Sequence, residues 1–284
     1  MAKKMRPDRL GPRLLIPGLL WLVVFFVIPL LIIVVISFAR RLPGGLIEWA
    51  FTLENYARAL DALYLLGPFW NSLWLAALTT ICCFVLGYPL AYYIARRPAR
   101  WRSLLLFLII LPFLTNFLVR IYAWFILLRP EGWIAALLKP FGIEMILLGS
   151  PWGVLIGSVY GYLPFMVLPL YATLEKLDFT LVEAAHDLGA TRWQSFWRVI
   201  FPLSRAGVIA GAILVFIPVL GEFLTPNLLG GGKVPMIGIT IEEQFLGRVQ
   251  NWPLGAAMAV GLMLLVSLML IRYFKQLKEA RWVS

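Results

Sequence analysis

Five side chains that could do chemistry interrupt the apolar runs of this chain. They are Asn116 and Arg120 in LPFLTNFLVRIYAW, Tyr160 and Tyr162 in SVYGYLPF, and Glu222 in FIPVLGEFLTP. A carboxylate at membrane depth costs at least about 2.5–3.5 kcal/mol on insertion scales, so Glu222 is expected to face a cavity, a partner helix or a cation. Pro218, Gly221 and Pro226 flank it and predict an interrupted helix, which exposes backbone along a pathway. Asn116 and Arg120 fall one helical turn apart, nearer the middle of their run than snorkelling from an end explains. An acid beside aromatic faces suits an organic cation, through charge pairing and cation–π contact. The bland alternative is a Glu222–Arg120 ion pair or a hydrogen bond to a neighbouring helix, with the tyrosines packing near an interface.

Other reactive residue types point away from catalysis. Cys82 and Cys83 are adjacent in an apolar run, and helix neighbours diverge, so they read as small buried apolar residues. His186 is the single histidine and has no ligand set at metal spacing around it. Gly230-Gly231-Gly232-Lys233 is followed by Val234 and preceded by an apolar helix, whereas a phosphate-binding loop needs Ser or Thr after the lysine and a preceding strand. Any ATP use is therefore expected on another chain.

A polar stretch, Glu183 to Pro202, lies between apolar runs and reads EAAHDLGATRWQSFWRVIFP. Thr180 with Glu183 and Thr191 with Gln194 have capping-box spacing, and Gly189 between them suits a left-handed helix end. The stretch predicts helix, sharp turn, helix. Leu181, Ala184, Ala185 and Leu188 form one apolar face, and Trp193, Phe196, Trp197 and Ile200 a second. Helices this short need something to pack on. They are either a docking element for a soluble partner or interfacial helices lying under their own bundle.

The elements that position these groups are membrane spans. The chain has 284 residues, 62% of them hydrophobic and 14% charged, which excludes a soluble domain. Net charge is +11, yet in a membrane chain the position of the charges matters more than their sum, and no nucleic-acid partner is expected. Six runs approach the ~20 residues that cross ~30 Å of hydrocarbon: 14–38, 73–95, 104–128, 152–174, 206–229 and 254–273. They lack barrel-strand alternation, so the class is an all-α membrane protein of six transmembrane helices. The first run is too long for a signal-peptide core.

Lys3, Lys4, Arg6, Arg9 and Arg13 precede the first span, Arg96, Arg97, Arg100 and Arg102 separate the second and third, and Arg272, Lys275, Lys278 and Arg281 follow the sixth. The opposite loops are balanced: Arg129 and Lys139 against Glu131 and Glu144, Lys233 and Arg248 against Glu242 and Glu243. Both termini and Glu183–Pro202 are thus expected in the cytoplasm. The organisation is a basic N-terminus (1–13), a six-helix domain (14–274) with its cytoplasmic loop (178–204), and a C-terminal tail (275–284). In the first outer loop, Leu53, Tyr56, Ala57 and Leu60 predict an apolar face of a surface helix.

Glu183-Ala184-Ala185, then Gly189, Phe196 and Pro202 in register, resembles the EAA loop of bacterial ABC-importer permeases. The resemblance implies a type I ABC importer permease bundle in the cytoplasmic (inner) membrane, whose loop forms a coupling helix seated on a cytoplasmic ATPase. It assigns Glu183, Ala184, Ala185, Asp187, Gly189, Ala190, Arg192 and Phe196 to that contact. VYGYLPFMVLPLYATLEKLD, FIPVLGEFLTPNLLGG, NWPLGAA and LENYARALDALY are similar to the polyamine (spermidine/putrescine) branch. The resemblance further implies a non-catalytic subunit that pairs with a second, homologous permease. Two ATPase subunits would carry ATP and Mg below it, and an extracytoplasmic solute-binding protein would sit above. The alternatives are a permease for another small organic solute, an ion-gradient-driven secondary transporter, or a non-transporting assembly protein.

Overall fold

A computed structural model describes residues 10–43, 46–61, 66–141, 146–248 and 250–281. In chain order, α1 (Leu10–Leu22) passes through a π-helical turn (Val23–Val27) into α2 (Ile28–Ser37). A short antiparallel ribbon follows, β1 (Arg40–Arg41) with β2 (Ile47–Glu48), and then α3 (Glu54–Ala59). Next come α4 (Leu66–Ala95), α5 (Ala99–Ile110), a 3-10 turn (Leu111–Leu114), α6 (Phe117–Leu127) and α7 (Trp133–Leu138). After α8 (Pro151–Leu174) the polar stretch forms α9 (Thr180–Asp187), α10 (Arg192–Ser195) and a second π-helical turn (Phe196–Ile200). The chain closes with α11 (Phe201–Leu220), α12 (Leu224–Leu229), α13 (Ile237–Leu246) and α14 (Trp252–Arg281).

Among the described residues five helices are long and apolar enough to cross a membrane, and α5 with α6, bent by 87° at the break between them, brings the number to six where the pair counts as one span. The fold is therefore all-α and multi-pass. The third expected span, 104–128, is corrected from one helix to this bent pair. Pro112 cannot donate to the helix ladder, and the turn around it tightens to 3-10 geometry. Asn116 then starts α6 afresh, its side chain accepting from the N–H groups of Leu118 and Val119. Pro89, Pro164 and Pro169 lie inside α4 and α8 without ending them. The fifth expected span, 206–229, is interrupted at residues 221–223, as the Gly and Pro flanking Glu222 predict.

The chain divides into two compact units, Leu65–Thr240 and Met1–Tyr64 with Ile241–Ser284. In the larger, α4, α8 and α11 form the central packing. Lipid supplies no hydrophobic drive between helices, so close approach at small residues holds such a bundle. Gly87 on α4 and Gly211 on α11 both face Met166 of α8, where an added Cβ would lie 3.2 Å from Met166 Cγ and 2.7 Å from its Sδ respectively. Leu75, Val154, Met166, Val167, Leu170 and Val215 are fully buried there. Cys83 is buried and Cys82 half-buried, and both are free thiols.

In the other unit, α14 packs on α2 and α3. The expected apolar face of α3 is left uncovered by the rest of the chain, with Leu53 60% and Leu60 71% exposed, while Asn55 and Ala59 on the opposite face are buried. Asn55 Nδ2 donates to the carbonyls of Ser37 (2.9 Å) and Ala39 (2.8 Å). It thereby satisfies orphan acceptors at the end of α2 and fixes which face of α3 turns inward. The helix of α14 continues to Arg281, so the expected tail begins as a helical extension. Lys3, Lys4, Arg6, Arg9 and Glu144 lie outside the described residues.

Candidate functional site

Glu222 sits in the three-residue break between α11 and α12 and is 9% exposed. The Thr225 hydroxyl donates to Glu222 Oε1. Oε2 has no hydrogen-bond partner among the described residues. The start of α13 closes over the break: a Cβ at Gly238 would lie 2.5 Å from the carbonyl oxygens of Gly221 and Glu222.

The acid borders a cavity of about 200 Å³ between α6, α8 and the break. Arg120, Tyr160 and Tyr162 also line it, so four of the five sequence-predicted residues converge. Asn116 does not join them. It is the N-cap of α6, and its side-chain oxygen is spent on Leu118 and Val119. Nor do Glu222 and Arg120 form the ion pair of the bland alternative; the pairs among the described residues are Arg40–Glu54, Arg58–Glu54 and Arg102–Glu175. Instead Arg120 Nη1 donates to the Pro112 carbonyl at 3.0 Å, and the guanidinium lies 5.4 and 5.7 Å from the ring centroids of Phe113 and Phe117.

Aromatic rings make the walls. Trp124 meets Tyr160 edge-on at 5.3 Å, Phe113 meets Phe165 edge-on at 5.1 Å, and Tyr162 leans on Phe165 at 6.0 Å. The sequence reading missed Phe113, Phe117, Trp124, Phe165 and Thr225. Helical spacing of Phe117, Arg120 and Trp124 carried part of that signal, and Thr225 follows Glu222 by three. A small chamber with one acid and many π faces is chemically suited to an alkylammonium group.

The second locus is the polar stretch. Gly189 has φ +85°, and Ala190 N–H returns to the Ala185 carbonyl at 3.0 Å, closing α9. The Thr191–Gln194 capping box is present in both directions, at 3.2 and 2.9 Å. The Thr180 box is corrected: Asp178 Oδ1 accepts from the Thr180 N–H (3.0 Å) and hydroxyl (2.8 Å). Asp178, two residues before the start of α9, thus accepts from its first N–H, and the two donors hold its carboxyl below its ordinary range.

The chain itself leaves much of both apolar faces uncovered. Val182 is buried on α9, while Leu181 and Leu188 are 48% and 90% exposed. After α10, the π-helical turn shifts the register, so Ile200 is buried and Trp193 and Trp197 stay exposed. Glu183, Ala184, Asp187, Gly189 and Arg192 are exposed; Ala185, Ala190 and Phe196 are half-buried. Glu183, His186, Arg192 and Trp193 line an open groove of about 770 Å³ with Tyr92 and Arg96 from the end of α4. Phe179 packs edge-on against Tyr92 at 6.2 Å, and Phe196 against Tyr88 at 5.4 Å, which fixes both short helices to α4.

Comparison with known proteins is consistent across levels. Residues 87–283 match the family described as "Binding-protein-dependent transport system inner membrane component". The spermidine/putrescine transport system permease protein PotB of Escherichia coli (strain K12) is 44% identical over 258 residues, covering 90% of this chain and 93% of that protein. PotB of Salmonella typhimurium (strain SL1344) is 44% identical over 258 residues, covering 90% and 89%. Among solved structures, a bacterial alginate ABC transporter in complex with an alginate pentasaccharide-bound periplasmic protein matches with TM-score 0.71 and 17% identity, covering 93% of this chain and 92% of that one. At that identity the match speaks to fold alone.

Proposed function

Since the chain belongs to the binding-protein-dependent transport system inner membrane components, we infer that it is the permease subunit of an ABC importer for a polyamine, spermidine or putrescine. The likeness to PotB over nine-tenths of the chain supports that substrate class, and the acid-and-aromatic cavity suits its chemistry. The chain is a non-catalytic, multi-pass subunit of the cytoplasmic membrane.

One structural observation carries the mechanism. From Arg192 to Leu220 the helix is continuous for 29 residues, through α10, the π-helical turn and α11. At 1.5 Å per residue it is a strut of about 43 Å. Its lower end is the exposed Gly189 knuckle and its upper end is the break that holds Glu222. In this reading an ATPase subunit docks on Glu183, Ala184, Ala185, Asp187, Gly189, Ala190, Arg192 and Phe196. Exposed Leu188, Trp193 and Trp197 would be covered by that partner. ATP and Mg reside on two such ATPase subunits. Their closure displaces the knuckle, and the strut transmits the movement to the cavity. We place both termini and the knuckle on the cytoplasmic side, a topology supported by the excess of Lys and Arg in the segments flanking those spans. A second, homologous permease completes the pathway, and a solute-binding protein delivers the cation from outside.

The test is reconstitution with the ATPase, the second permease and candidate binding proteins in proteoliposomes. ATP-dependent uptake of labelled spermidine or putrescine is the expected result. ATP-dependent uptake of a different solute alone would replace the substrate. Uptake driven by an ion gradient without the ATPase would replace the whole reading.

A further inference from the structure

Two opposite charges border one small cavity without pairing, and the arrangement of the positive one is informative. We propose that Arg120 is a tethered cation that occupies the aromatic wall of the cavity when substrate is absent and is displaced when a substrate ammonium binds beside Glu222. This rests on the cavity's being part of the polyamine pathway.

The guanidinium carbon lies 5.4 Å from the Phe113 centroid and 5.7 Å from that of Phe117, within the range where a cation is held by a ring face. Arg120 therefore fills the kind of position a substrate ammonium would take. Its single hydrogen bond goes to the Pro112 carbonyl at 3.0 Å. That carbonyl also accepts from the Thr115 hydroxyl (2.6 Å) and the Thr115 N–H (3.3 Å). Withdrawal of Arg120 thus leaves no orphaned acceptor at the bend between α5 and α6. Glu222 meanwhile lines the same cavity with Oε2 unpartnered among the described residues.

A second cation entering a chamber of about 200 Å³ must sit close to the first. In a low-dielectric site two like charges repel strongly, and the mobile one leaves. Arg120 is half-buried and has a long, flexible stem, so it can swing outward, while Glu222 is buried and held by the Thr225 hydroxyl. A neutral solute has no charge with which to expel the guanidinium, so Arg120 adds a charge requirement to the shape of the site.

The experiment is equilibrium dialysis of radiolabelled spermidine against the purified, assembled transporter without its binding protein. Arg120→Ala is expected to bind spermidine about tenfold more tightly than the parent, because a competing internal cation is gone. Arg120→Lys, which keeps the charge, stays near the parent, and Glu222→Gln loses binding. Arg120→Met keeps the packing of the stem and carries the same expectation as Arg120→Ala where the alanine variant assembles poorly. Unchanged or weaker binding by the uncharged Arg120 variants, with binding still lost in Glu222→Gln, overturns the proposal and leaves the polyamine reading standing. Failure of the parent transporter to import any polyamine in proteoliposomes overturns the reading, and this proposal with it.

Discussion

Tyr88 on α4 and Ser204 on α11 share a buried hydroxyl–hydroxyl hydrogen bond of 2.7 Å. Ser204 donates its own proton to the Phe201 carbonyl at 3.1 Å, so the Tyr88 hydroxyl is the donor to Ser204. The Tyr88 ring also meets Phe196 edge-on, at the π-helical turn above the knuckle. One side chain thus braces the root of the strut. Tyr88→Phe is expected to cost about 0.5–1.5 kcal/mol. In a double-mutant cycle read by unfolding in detergent, Tyr88→Phe with Ser204→Ala should cost less than the sum of the two single changes.

Gly211 lets α11 approach Met166. A side chain there must displace Met166 Sδ, at 2.7 Å from the new Cβ, or the Met166 carbonyl oxygen at 3.1 Å. Gly211→Leu is expected to destabilise by about 1–3 kcal/mol through overpacking. Gly261→Ala, where nothing lies within 4 Å, should be neutral or better when unfolding in detergent is measured for both variants.

At Gly189 the φ of +85° excludes a β-branched residue at ordinary cost. Gly189→Val is expected to leave membrane insertion intact and abolish transport-linked ATP hydrolysis. Gly189→Asn, which tolerates a left-handed backbone, should keep most of it. Glu183→Lys reverses an exposed charge at the proposed contact and should uncouple without unfolding. Substrate-stimulated hydrolysis in reconstituted vesicles measures all three.

Glu222→Gln keeps the shape and can still accept from Thr225, but it removes the negative charge. Polyamine uptake is expected to fall at least about tenfold, an effect of about 1.4 kcal/mol or more, while the subunits still co-purify. Unchanged kinetics would make Glu222 a structural residue.

How much of this was legible beforehand depends on whether the signal was local. The Gly189 turn and the Thr191 cap follow from backbone chemistry within a few residues, and both appear as read. The break at Glu222 was announced by Gly221 and its flanking prolines. The bend at Pro112 was not, because Pro89, Pro164 and Pro169 bear the same lesion inside unbroken helices. What distinguishes Pro112 is the Thr115-Asn116 pair after it, which offers a turn and a new N-cap. Which residues of α3 and α9 turn inward against the chain itself escaped for a different reason. In helices of six and eight residues, one anchored side chain, Asn55 or Val182, sets the orientation regardless of the apolar average. The aromatic wall around Glu222 depends on α6 folding back toward α8, which no local pattern specifies.

The central claim is that the Gly189 knuckle transmits force from a cytoplasmic ATPase. It is tested most directly by Leu188→Cys in a background with Cys82→Ala and Cys83→Ala, since Leu188 is 90% exposed at the tip of α9. In the assembled transporter this thiol is expected to cross-link to an ATPase subunit, with a yield that changes when ATP is added. Absence of any cross-link, or labelling of the thiol in intact cells by a reagent that cannot cross the membrane, would contradict it.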